Sequence, residues 1–94
     1  MLTLEEAKSL ALQELARLGN TYELAFYDDD TQCKRYGWIL FYNTRQYIET
    51  GDFLFSLGGN GPLVVLHDGT VHPLGTSKDV DATISEFEQA HGLS

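Results

Sequence analysis

Leu4, Ala7, Ala11, Leu15 and Leu18 recur at spacings of 3, 4, 4 and 3, which lays an apolar stripe along one face of a helix over residues 4–18. Glu5, Lys8, Gln13 and Arg17 fall largely on the other faces. Thr3, with Glu6 three residues on, reads as a capping box that satisfies two orphan amides at the helix start. Gly19-Asn20 supplies a left-handed stop. A second stripe, Val80, Ile84, Phe87 and His91 at spacings of 4, 3 and 4, predicts a closing helix that ends at Gly92. Asp79 and Asp81 sit in its first turn, where the helix dipole favours negative charge.

Between the helices the period shortens. Tyr22 to Tyr27 alternates and is aromatic-rich, as a half-buried strand should be. Asp28-Asp29-Asp30 stops it, since adjacent carboxylates repel, and a solvated turn is expected to run on to about Tyr36. Gly37 to Asn43 is a continuous apolar run, which predicts a central strand covered on both faces. Residues 44–61 show no regular period, although Asp52 is placed to cap a short helical turn through Phe53-Leu54-Phe55-Ser56-Leu57. Gly58-Gly59-Asn60-Gly61-Pro62 is too permissive, and too poor in amide donors at Pro62, for regular structure. Asn60 is expected to tie that backbone to neighbouring loops through its amide. Leu63 to His67, Asp68-Gly69 and Thr70 to Leu74 then read as a hairpin with a two-residue turn. That turn sets His67 opposite Thr70, Leu66 opposite Val71 and Val65 opposite His72, with Pro73 at an edge or a strand end.

Without helical crossovers between most strands, the class is α+β: an antiparallel four-stranded sheet packed with an N-terminal and a C-terminal helix. The expected core is Leu4, Leu15, Leu18, Leu24, Phe26, Trp38, Leu40, Val64, Leu66, Ile84 and Phe87. At 94 residues the chain is one domain's worth, 1–94.

Composition narrows the function. Fourteen acidic residues against six basic ones leave a net charge of −8, a field that repels nucleic acid and anionic membrane surfaces and favours a basic partner. The plainer meaning of that charge is solubility. No run approaches the ~18 apolar residues of a membrane-spanning helix. The first residues, Met1-Leu2-Thr3-Leu4-Glu5-Glu6, are acidic where a secretory signal is basic. A single cysteine, Cys33, excludes an intrachain disulfide. A cytoplasmic location is expected.

Catalytic chemistry is not legible. His67 and His72 would share a hairpin face as diagonal neighbours, but a metal would need a third ligand from distant His91, Cys33 or a carboxylate. Cys33 has Lys34 and Arg35 beside it and no marked base, so an incidental thiol is the plainer reading. Ser56 and Ser77 lack a nucleophile-elbow motif, and Asp28-Asp29-Asp30 lacks the spacing of a calcium loop. The glycine-rich run ending in Pro62 has neither the Lys-Ser/Thr nor the following helix of a phosphate loop. No catalytic residue, metal or cofactor is expected. The aromatics Tyr36, Trp38, Phe41, Tyr42, Tyr47, Phe53 and Phe55 say more, because such side chains form either cores or interface anchors. Trp38 and Phe41 read as core; Tyr47, Phe53 and Phe55, in the irregular segment, read equally well as interface.

Gly37-Trp38-Ile39-Leu40-Phe41-Tyr42, Tyr47-Ile48-Glu49-Thr50-Gly51-Asp52, Gly59-Asn60-Gly61-Pro62, Asp68-Gly69 and Leu74-Gly75-Thr76, in this order, resemble the immunity protein 35 family, also called the YrhB-like domain. The resemblance runs from about Gly37 to Glu88 and departs at Asp79, where a proline would open the last helix. It implies a small α+β fold without enzymatic activity, in a bacterial cytosolic protein encoded beside a polymorphic toxin that it neutralises by direct binding. It marks Gly37, Trp38, Gly51, Asp52, Gly59, Asn60, Pro62, Asp68, Gly69, Gly75 and Thr76 as structural. Toxins paired with the family belong to several enzymatic classes. One YrhB-like member is described as a heat-stable chaperone, so a chaperone-like or regulatory binding domain is the alternative. The expected partner surface is Asp28, Asp29, Asp30, Tyr47, Asp52, Phe53 and Phe55. The expected partner is the toxin, with no nucleic acid and no membrane; a homodimer stays open.

Overall fold

Thr3 accepts a hydrogen bond from the Glu6 amide (3.2 Å) while its own amide donates to the Glu6 carboxylate (3.0 Å), and the capping box opens helix α1, Leu4–Arg17. This computed structural model describes every residue except 1, 20, 57–60, 77–78 and 94. The strands are β1 Leu24–Phe26, β2 Gln32–Lys34, β3 Gly37–Leu40, β4 Tyr42–Thr44, β5 Leu63–Leu66 and β6 Val71–Pro73. Helix α2, Arg45–Thr50, follows β4, and α3, Val80–Ala90, closes the chain. Single 3₁₀ turns form at Asp28–Asp30 and Phe53–Phe55.

The strands make an antiparallel four-stranded sheet in the order β2-β3-β5-β6 and a separate two-stranded ribbon, β1-β4. Alternation along β3 and β5 decides what covers each face. Trp38, Leu40, Leu63 and Val65 point to Ala7, Ala11 and Leu15 of α1, and Leu24 joins them. Ile39 and Val64 point the other way, to Ile84 and Phe87 of α3. The all-apolar run of β3 is therefore covered twice, as its sequence predicts. Ala7 and Ala11 are fully buried, small side chains that let α1 lie close to the sheet.

The α+β class stands, with its four-stranded sheet composed differently from the four strands read in the sequence. The run from Gly37 to Asn43 breaks at Phe41, whose carbonyl accepts from the Tyr27 amide (2.8 Å), so the chain leaves β3 and pairs with β1 instead. The turn expected through Tyr36 contains β2, an edge strand of polar residues that carries no alternation to read. In the β5–β6 hairpin the Leu66 amide bonds to the Thr70 carbonyl (3.0 Å), and Gly69 stands at φ +89°. The connection is thus three residues with a left-handed third, and the pairing moves by one: Val65 opposes Val71 and Val64 opposes His72. Pro73 does end the edge strand. Leu18, expected in the core, is exposed just past the last turn of α1. Leu4, Phe26 and Leu66 are half-buried at the margins of the core, while Ile39, Leu63 and Val65 are fully buried. Asp79, where a proline was expected, accepts from the Ala82 amide (2.8 Å) and caps α3 itself.

The Tyr36 hydroxyl donates to Glu88 Oε2 (2.8 Å) and ties the β2–β3 turn to α3. Burial first, then the hydrogen bond to Glu88 and its charge, push this phenol far above its ordinary 10.0. A raised folded-state value means that the contribution of the neutral phenol is complete below pH ~10 and is lost as pH rises further. Urea titrations should show stability falling on the alkaline side, and Tyr36→Phe should flatten that limb. Tyr42, raised by burial, supplies the remainder. An alkaline limb identical in Tyr36→Phe would remove Tyr36 as its source.

Candidate surface for a protein partner

Asn43 and Thr44 end β4 with two buried polar side chains. The Thr44 hydroxyl accepts from the Tyr47 amide (3.1 Å), capping α2, and donates to the Phe55 carbonyl (2.6 Å). Asn43 accepts from the Thr44 amide (2.8 Å) and donates to the Ser56 hydroxyl (3.3 Å). One buried pair thus fixes both the start of α2 and the far end of the Phe53–Phe55 turn. Between them Gly51, at φ +72°, ends α2, and the Asp52 carboxylate accepts from the Leu54 amide (3.0 Å) to cap the turn.

The clamp presents an apolar knob. Phe53 is 82% exposed and Leu54 87%, while Phe55 is partly covered. The Tyr47 and Phe53 rings lie 5.9 Å apart, tilted. Beside the knob runs an open groove of about 540 Å³ lined by Tyr22, Phe55 and Thr44, with Arg45 between Glu23 (2.8 Å) and Glu49 (4.0 Å). Large apolar side chains held this far into water are the usual mark of a contact surface.

The acidic turn borders the same part of the molecule. Ile48 of α2 lines one hollow with Asp28, Asp29 and Asp30. Asp28 is bound to Lys8 of α1 at 2.6 Å. Among the described residues no cation pairs with Asp29 or Asp30. All seven residues expected at a partner surface therefore lie on or next to the β1–β4 ribbon and its appended turns, and Asp52 acts there as a cap. Sequence reasoning missed Tyr22, Leu54, Asn43 and Thr44. Leu54 stood within the apolar triplet already singled out, whereas nothing marked Asn43-Thr44 as buried.

The motif residues are mostly built into the backbone. Gly37 has φ +151°, and a Cβ there would lie 1.9 Å from the Val65 carbonyl oxygen. Trp38 and Pro62 are buried, and the Pro62 carbonyl accepts from the Leu74 amide (2.9 Å). Asp68 accepts from the Thr70 amide (2.9 Å) and hydroxyl (2.7 Å), bonds that hold its carboxyl below the usual range and shape the turn that Gly69 completes. Gly75 and Thr76 are exposed. Gly59 and Asn60 lie outside the described residues.

The shifted hairpin register separates the two histidines. His67 meets Trp38 edge-on at 4.9 Å, on the α1 side, while His72 lies 5.3 Å from Phe87 and 5.2 Å from His91, on the α3 side. Cys33 is exposed on β2. Among the described residues no three His, Cys, Asp or Glu side chains are placed to hold a metal ion. Among them, too, no helix is long and apolar enough to cross a membrane.

The model of one protein family, described as Immunity protein 35, matches residues 5–89. The uncharacterized protein YrhB of Escherichia coli (strain K12) is 36% identical over 53 residues, which cover 55% of this chain and 56% of that protein. The chain thus spans little more than half the length of this curated relative. No solved structure matches.

Proposed function

Because this chain belongs to the immunity protein 35 family, we propose that it binds a bacterial toxin encoded beside it and blocks that toxin by direct contact. The observation that carries the reading is the apolar knob. Phe53 and Leu54 stand in water on a turn whose far end is fixed by hydrogen bonds from Thr44 and Asn43 and whose start is capped by Asp52. An anchor held in place before binding loses little entropy when it is buried. The chemistry of the partner follows from charge. With a net charge of −8 and Asp29 and Asp30, which pair with no cation among the described residues, bordering the knob's own ribbon, a basic toxin surface is drawn in before contact is made.

Rates measured against the neighbour-encoded protein test this. A stoichiometric complex is expected, with an association rate that falls as salt rises past ~0.15 M. Asp29→Asn with Asp30→Asn should slow association severalfold while sparing the Asp28–Lys8 pair and the fold, because exposed charges contribute little to stability. An association rate indifferent to both salt and this variant would reduce the acidity to solubility. No complex, together with suppressed aggregation of unrelated proteins, would favour the chaperone alternative.

A further inference from the structure

We propose that two copies of this chain pair through the free edges of β2, antiparallel and centred on Gln32. In the order β2-β3-β5-β6, β2 has β3 on one side and, among the described residues, no strand on the other. Lys34 and Gly37 close the two-residue turn Arg35-Tyr36, so Lys34 and Gln32 direct their backbone groups to β3, and Cys33 directs its own to the open edge. Such an edge is a ready template for another strand.

Symmetry and charge select the register. A two-fold axis that keeps the faces of the extended sheet aligned must pass through a residue facing its own copy. The strand carries opposite charges at its two ends, Asp28–Asp30 before it, and Lys34 as its last residue with Arg35 after it. Among the described residues Lys34 and Arg35 pair with no carboxylate, as Asp29 and Asp30 pair with no cation. Centred on Gln32, the pairing sets the Lys34-Arg35 end of each copy beside the 3₁₀ turn Asp28–Asp30 of the other, twice over. It also aims the Cys33 amide at the Thr31 carbonyl of the second copy. Centred on Lys34, like charge would face like charge. The pair covers Asp29 and Asp30, so under the function proposed above a second copy and the toxin compete for the acidic turn. The pairing itself does not rest on that reading.

Sedimentation equilibrium on the full chain over a wide concentration range reads the dimer directly. Lys34→Glu with Arg35→Glu should raise the dimer dissociation constant at least about tenfold. Adding Asp29→Lys and Asp30→Lys to the same chain should restore it, since the opposite charges are then exchanged rather than lost. In a Cys33→Ser background, Gln32→Cys should give an oxidative cross-link that the Lys34/Arg35 variant suppresses. A single-chain mass at every concentration, or a charge exchange that fails to restore the dimer, overturns the proposal.

Discussion

Gly37→Ala should unfold this protein more effectively than truncation of most core side chains. The added methyl would sit 1.9 Å from the Val65 carbonyl oxygen and 2.9 Å from the Leu66 Cα, both backbone atoms of β5. No rotamer change relieves a backbone clash. At φ +151° the residue also occupies a conformation that side chains rarely adopt. Gly37 faces Leu66 at one end of the β3–β5 pairing, so relief requires parting the two central strands. A loss of about 3–5 kcal/mol in urea unfolding is expected, a large share of the ~5–15 kcal/mol a small domain has. A loss under ~1 kcal/mol would mean that the strands separate there at little cost.

The second large effect concerns binding and should leave stability alone. Phe53 and Leu54 are 82% and 87% exposed, so Phe53→Ser with Leu54→Ser should shift unfolding by no more than ~0.5 kcal/mol. Against the toxin the same variant should lose about 2–4 kcal/mol, roughly 30- to 1,000-fold in affinity, mostly through faster dissociation. Unchanged affinity would remove the knob from the interface.

Helices α1 and α3 were legible because each buries one face over several turns, so a 3.6-residue period is written into the chain. The β5–β6 hairpin was legible from Asp68-Gly69, but its register was not. Asp-Gly suits both a two-residue turn and the end of a three-residue one, and the choice moves every partner by one. β2 and α2 escaped for a different reason: three and six residues are too few to show a period, and α2 buries no side chain fully. The candidate surface was half visible. Aromatic and acidic residues stand out in a sequence, whereas their exposure depends on Thr44 and Asn43 reaching Phe55 and Ser56 across eleven and thirteen residues. Nothing local to any of those residues announces that bond.

The placement of α1 bears on how the protein is made. Its buried face, Ala7, Ala11 and Leu15, meets Leu24, Trp38 and Leu40 and is completed by Leu63 and Val65 of β5. At ~5–20 residues per second of synthesis, the first helix therefore waits roughly 2–10 s for the strand that shelters it. Until then its apolar stripe is covered only in part. The last helix supplies Ile84 and Phe87 to the opposite face only after β5 and β6 have been made. A cell making this protein thus gains both faces of the sheet covered only once α3 has been made.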